Sequence, residues 1–335
     1  MQRSPGYAAV RAAAPERVAL HTLSGATMGT RWTVKYDGSA APEAVVGLAI
    51  EAALATVVQQ MSTWEPDSDI SRYNRAPAGT WVALPPGFAA VAGCALGWVR
   101  LSGGAFDPTV GPLVDVWGFG PRPEPECGYA GAVPPDISAV QAAQARTGWR
   151  RLQLEVAPPR LLQPGGLHLD FSGIAKGFAV DLVGEALSAC GVADWLVEIG
   201  GELRARGRRP DGGAWRVGVE QPGNAAPLPL VLGDRAIATS GDRWHAFEFG
   251  GQRYAHTIDP RTGAPVAHDL ASVTVVHVTC MDADALATAL LVLGPEAGPA
   301  FARQHGIAAW FVRRGQGGGA GASGHATPAF EALLP

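Results

Sequence analysis

The sequence predicts an α+β protein, a single compact domain of mixed or antiparallel sheets with helices packed on them. Three observations carry this. An alternating strand near residue 30 runs straight into a long helical segment, the rhythm changes to short strands from residue 150, and neither an internal repeat nor a linker divides the 335 residues. A chain of this length can bury a substantial core. The division expected is a flexible N-terminal arm over 1–20 and one domain over 21–335.

Taken in order, TMGTRWTVKY alternates as a half-buried strand, with Met28, Thr30, Trp32, Val34 and Tyr36 on one face. PEAVVGLAIEAALATVVQQMSTW follows as a helix, with Pro42 in its first turn and Val45, Leu48, Ala52 and Leu54 as its apolar positions. A second helix is expected over Gly87 to Ser102, a Pro- and Gly-rich loop over Gly118 to Asp136, and a short helix over 139–147. Strands are then expected at RLQLEV, at GLHLDFS and across ADWLVEIGGELRARG. The Gly200-Gly201 pair inside the last of these marks a bulge or a close backbone approach. FAVDLVGEALSACG reads as a helix stopped by Gly191. RWHAFEFGGQRYAHTID reads as a hairpin turning at Gly250-Gly251, which sets Glu248 opposite Arg253, Phe247 opposite Tyr254 and His245 opposite His256. CMDADALATALLVLG is a helix closed by Gly294 and Pro295, a last helix covers Glu296 to His305, and IAAWFVRR is a strand.

Composition excludes several classes. The net charge is -4, which provides no basic field for nucleic acid. The four cysteines are scattered without a C-x-x-C pair, against a zinc ribbon or a thioredoxin-like site, and are expected to be small buried residues. No apolar run long enough to span a membrane stands out. The first residues, MQRSPGYAAVRAAAPERVALH, lack a continuous apolar signal-peptide region, so the chain as written is expected to be cytoplasmic. GAGASG at 319–324 is a literal G-x-G-x-x-G, but a dinucleotide fold needs a further helix, strand and acid after it; a hairpin loop is expected instead.

Four stretches carry possible chemistry. In LDFSGIAKGFAVD, small residues at a strand-to-helix turn let backbone N–H groups meet an anion while Lys176 adds charge; an ordinary tight turn with a solvated lysine fits as well. Asp284 and Thr288 stand one helical turn apart and offer hard oxygens to Mg²⁺, although an Asp in a first turn is favoured by the helix dipole and a Thr can bond the preceding carbonyl. His256, ahead of an Asp-Pro turn, is either a general base or a packed aromatic-face residue. GAFDPTVGPLVDVWGFGP can hold a planar ring while Asp107 accepts its N–H groups, or can be a packed loop.

In order, TMGTRWTVKY, MSTWEPDSDISRYN, GAFDPTVGPLVDVWGFGP, LDFSGIAKGFAVD, LVEIGGELRARG, ATSGD, YAHTIDPRTG, MDADALATALLVLG and TPAFEALL resemble the ApbE family, the FAD:protein FMN transferases. The resemblance covers nearly everything after residue 21. It implies an ApbE-like domain that uses Mg²⁺ to cleave the pyrophosphate of FAD, moves FMN onto a Thr or Ser hydroxyl of a target protein, and releases AMP. It places the metal ligands on Asp284, Thr288 and the backbone carbonyl of Ala175. It places FAD contacts on Met28, Trp64, Ala105, Phe106, Asp107, Ser172, Lys176 and Ile258, and the base on His256. Lys176 with Mg²⁺ would neutralise the pyrophosphate. Trp64 stands where the family often has Tyr, keeping a stacking surface, and Phe178 replaces a frequent Tyr and loses its hydroxyl. Family members are usually exported and membrane-associated. Their acceptors carry a motif resembling D-G-x-[ST]-[GS]-A-T, which LSGATMG at 23–29 half-matches, with His21 where the motif has Asp; no self-modification is expected. A Mg²⁺-dependent FAD pyrophosphatase, or an FAD-binding protein without turnover, are the rival readings.

Overall fold

The computed structural model describes residues 20–334 apart from 39, 122–131, 224, 242–245 and 316–321. Its centre is an eight-stranded sheet: β1 (Leu20–Thr27), β2 (Thr30–Asp37), β3 (Trp195–Ile199), β4 (Glu202–Arg206), β5 (Ala236–Gly241), β6 (Leu270–His277), β7 (Ala308–Arg313) and β8 (Ser323–Ala326). Spatial order follows chain order, and every neighbouring pair is antiparallel. The helices are α1 (Glu43–Met61), α2 (Asp69–Arg75), α3 (Pro86–Leu101), α4 (Gly111–Val116), α5 (Ile137–Gln144), α6 (Ala175–Ala189), α7 (Cys280–Gln304) and α8 (Pro328–Glu331).

The alternation expected in β2 is observed, with Trp32, Val34 and Tyr36 buried. The strand does not reach Met28, however. Met28 and Gly29 both take positive φ, 46° and 69°, and form the two-residue turn that folds β1 back onto β2. The same correction applies at Gly200-Gly201, with φ of 61° and 103°: the predicted single strand is the hairpin of β3 and β4. α1 buries Val46, Ile50, Ala53, Leu54, Val57 and Met61, while the expected Val45 and Leu48 face outward. The stretch 149–151 is a 3₁₀ turn, and only Leu154–Val156 of RLQLEV is a strand, paired with Pro159–Gln163.

One face of the sheet carries α6 and α7, with α1 packed on α6 and α3 on α7. Val34, Tyr36, Val197 and Ile199 meet α1 and α6 in one apolar cluster, and Val273, Val275 and Phe311 meet α7 in another. The opposite face is covered by the hairpin of Arg216–Val219 with Leu228–Val231 and by α8, through Trp215, Leu230, Ile237 and Phe330. α7 breaks at Gly294 (φ 84°) ahead of Pro295, as expected, and resumes to Gln304. The hairpin of Ala246–Phe249 with Gln252–Ala255 has the predicted register, with Phe247 opposite Tyr254 and Glu248 opposite Arg253; His245 lies outside the described residues. Residues 319–321 of GAGASG and Cys127 do so as well, while Ser323 and Gly324 open β8. Cys280 is buried, whereas Cys94 and Cys190 are only half-buried.

By length and composition, α1 and α7 are apolar enough to cross a membrane, which the sequence reading passed over. α7 packs against β5, β6 and α6 as a core helix, and α1 packs its buried face against α6.

Candidate active site

The approach to α6 is extended but is not the predicted strand. Leu167, Leu169 and Phe171 are buried alternately, as in a strand, yet side chains serve the backbone. Asn74 brackets Leu169, its amide donating to the Leu169 carbonyl at 3.0 Å and its oxygen accepting from the Leu169 N–H at 2.7 Å. Gln163 does the same for Leu167. The Asp170 N–H then donates to the Pro108 carbonyl at 2.9 Å, which ties this segment to the Asp107 loop. The half-turn that follows presents Ser172 to solvent and delivers Ala175, Lys176 and Gly177 as the first turn of α6.

That turn presses against α7 and the end of β5. A Cβ on Gly177 would lie 2.3 Å from the Cys280 carbonyl oxygen, an approach that only glycine permits, and one on Gly173 would lie 3.0 Å from Thr288 Oγ1 and 3.4 Å from the Phe106 ring, a tight fit against side chains. The Gly177 N–H donates to Asp284 Oδ2 at 3.0 Å. Thr288 Oγ1 shares a 2.9 Å hydrogen bond with Ser240 Oγ near the end of β5. Lys176 Nζ donates to Glu202 Oε1 at 2.5 Å, Glu202 being the first residue of β4. The structure thus brings together Lys176, Gly173, Asp284, Thr288, Phe106 and the first turn of α6 at one end of the sheet.

The electrostatics follow from burial. Asp284 is 3% exposed and Glu202 is 2% exposed. Burial raises Glu202 to about 7, against the pull of Lys176 and with the help of Asp284. Burial likewise raises Asp284, against Lys176 and the Gly177 N–H. Burial alone would lower Lys176, but Glu202 and Asp284 outweigh it and hold the ammonium above its ordinary value. Its surroundings are dense, yet about a third of its side-chain surface (32%) stays exposed. Two carboxylates face one ammonium, and Glu202 Oε2 is buried without a hydrogen-bond partner. Excess negative charge and an orphaned oxygen suit a cation. No cluster of three or more His, Cys, Asp or Glu that could hold a metal ion occurs among the described residues. The donors here are of a different mixture, carboxylate and hydroxyl, which are hard oxygens of the kind Mg²⁺ takes.

The ring-holding candidates divide. Ala105, Phe106 and Asp107 are buried. Asp107 Oδ1 accepts from Thr109 N–H at 2.8 Å and Thr109 Oγ1 at 2.7 Å, so this oxygen serves the loop. Burial raises its carboxyl, against those bonds. Met28 lies in the β1–β2 turn, beside the Gly200 turn, since a Cβ on Gly200 would meet Thr30 at 2.9 Å. Ile258 belongs to a satellite cluster with Leu113, Trp117 and Phe247. Trp64 and His256 are not among the buried residues. Trp64 is 55% exposed. Its neighbour Thr63 helps line a cleft of about 300 Å³ with Asp115, Gly118, Gly120, Pro121 and His168. The His256 ring meets Phe119, between Gly118 and Gly120 of that cleft, edge-on at 6.4 Å.

Sequence reasoning missed Glu202, Ser240 and the His168–Asp115 pair, which closes to 3.2 Å. It also missed Asp181 of α6, whose Oδ1 accepts from the Cys280 N–H and from Arg204 and whose Oδ2 accepts from the Met281 N–H. For Glu202 a signal existed: an acid placed directly after the Gly200-Gly201 pair.

Comparison with known proteins gives a consistent result. The model of the ApbE family matches residues 28–311. The FAD:protein FMN transferase of Vibrio cholerae serotype O1 is 40% identical over 290 residues, covering 85% of each chain. That of Haemophilus influenzae is 37% identical over 318 residues, covering 92% of this chain and 90% of its own. Among solved structures, the Pseudomonas stutzeri flavinyl transferase ApbE in its apo form superposes with a TM-score of 0.86 at 41% identity, covering 95% of this chain and 97% of that one.

Proposed function

The chain belongs to the ApbE family, and on that premise we propose that it is an FAD:protein FMN transferase that requires Mg²⁺, attaches FMN to a Thr or Ser hydroxyl of its target and releases AMP. The observation that carries the reading is the convergence of Lys176, Asp284 and Thr288 on the first turn of α6, where Gly173 and Gly177 leave room for it.

In the reaction, the target's hydroxyl oxygen bonds to the FMN phosphorus of FAD, the bridging P–O bond of the pyrophosphate breaks, and AMP leaves with that oxygen. The hydroxyl proton goes to His256, the candidate base. Lys176 binds the pyrophosphate and holds its charge, aided by the helix N-terminus. Asp284, Thr288 and the Ala175 carbonyl would hold Mg²⁺, which supplies charge neutralisation on the phosphoryl oxygens. Phe106, Ala105, Met28, Trp64 and Ile258 supply apolar surface for FAD, and Asp107 and Ser172 supply polar contacts.

The test is to incubate the protein with FAD and Mg²⁺, with and without an acceptor bearing D-G-x-[ST]-[GS]-A-T, following AMP and acceptor mass. An acceptor mass gain equal to FMN, abolished by EDTA, is expected. AMP and free FMN without an adduct would replace the transferase by a pyrophosphatase, and unchanged bound FAD would leave a binding protein.

A further inference from the structure

Glu202 follows the Gly200-Gly201 turn, opens β4 and reaches the first turn of α6. Its carboxylate is used on one side only. Oε1 accepts from Lys176 Nζ at 2.5 Å, while Oε2 is buried and has no hydrogen-bond partner. Asp181, another buried carboxylate beside α6 and α7, has both oxygens filled by donors. An orphaned buried acceptor costs about 1–3 kcal/mol, and more when charged, so a purely structural ion pair would not need this arrangement. Lys176 is likewise the only cation that Glu202 contacts among the described residues, and the same ammonium feels the Asp284 carboxylate while part of its side chain stays exposed. A carboxylate one shell behind such oxygens is the usual means of fixing cation-bound water and of aiming the groups beside it.

Resting on the transferase reading, we propose that Glu202 is a positioning residue: through Oε1 it aims Lys176 at the pyrophosphate of FAD, and through Oε2 it accepts a hydrogen bond from a water of the Mg²⁺ shell. It touches neither the reacting phosphorus nor the acceptor hydroxyl.

Glu202→Gln keeps the shape and removes the charge. Its folding is checked by thermal melting, its Mg²⁺ affinity by calorimetric titration of the FAD-free protein, and its kcat and KM for FAD by AMP release with an acceptor peptide. The expected result is a folded protein whose Mg²⁺ affinity and kcat each fall about 10- to 100-fold, with a smaller change in KM. Glu202→Asp, which keeps the charge, is expected to lose less of both. A folded Glu202→Gln with wild-type Mg²⁺ affinity and kcat overturns the proposal, and if that variant does not fold, wild-type values in Glu202→Asp do so. A wild-type protein that binds no Mg²⁺ or transfers no FMN sinks the transferase reading and this proposal together; an active wild type with an indifferent Glu202 variant sinks this proposal alone.

Discussion

At the residue scale, the site depends on groups that have no room to change. Gly177 is the clearest case, because the 2.3 Å approach of a Cβ to the Cys280 carbonyl is a clash with backbone, which cannot swing aside. Gly177→Ala is expected to destabilise the protein by roughly 1–3 kcal/mol and to lower activity more than that loss explains, since the same residue's N–H holds Asp284; urea melts beside AMP-release rates would check it. Asp284→Ala is expected to abolish Mg²⁺ binding while leaving FAD binding measurable by flavin fluorescence, and unaltered Mg²⁺ affinity would remove Asp284 from the ligand set. His256→Ala is expected to slow transfer by about 10²- to 10⁴-fold, and a wild-type rate would take it out of the mechanism.

At the element scale, the N-terminus of α7 is held to α6 by Asp181, whose carboxylate receives the first N–H groups of α7 together with Arg204 from β4. Burial raises its carboxyl against those bonds. Removing one partner of a buried, fully bonded pair costs about 3–5 kcal/mol, so Asp181→Ala is expected to lose stability of that order in urea and to weaken Mg²⁺ binding by displacing Asp284. This bracket was not legible in the sequence, because its backbone donors, Cys280 and Met281, lie about a hundred residues from Asp181. Local signals were legible: the β2 alternation, the Gly250-Gly251 hairpin register and the Gly294 break all reappear. The failures have one cause in common. At Met28-Gly29 and Gly200-Gly201 strand periodicity continues through a two-residue turn, and at 167–171 alternation is real but the partners are Asn74 and Gln163 side chains. In α1 several apolar residues ring the helix, so only the sheet decides that Val46 and Ile50, not Val45 and Leu48, point inward. Of the site, Lys176, Asp284 and Thr288 were visible as types at spacings, while Glu202 and Ser240 needed β4 and β5 to bring them in.

At the scale of the whole molecule, an antiparallel meander leaves one sheet end where turns and helix ends gather, and the fold places there more buried negative charge than positive. This has a consequence for stability. The Glu202 carboxyl is raised from its ordinary range to about 7, so the folded protein binds a proton more tightly than the unfolded chain does. Stability from this group is therefore fully present below the unfolded carboxyl value and is lost as pH rises through about 7. Asp284, raised by burial, acts in the same direction. In EDTA, the melting temperature is expected to fall between pH 5 and pH 8, and Glu202→Gln is expected to flatten that slope. Adding Mg²⁺ should stabilise the protein more at pH 8 than at pH 5, because the ion binds the ionised carboxylates and binding to the folded state alone shifts the unfolding equilibrium. Melting curves at the two pH values, with EDTA and with Mg²⁺, separate the outcomes. A slope identical in wild type and Glu202→Gln, or equal Mg²⁺ stabilisation at both pH values, would mean that this end of the sheet tolerates its carboxylates without a cation.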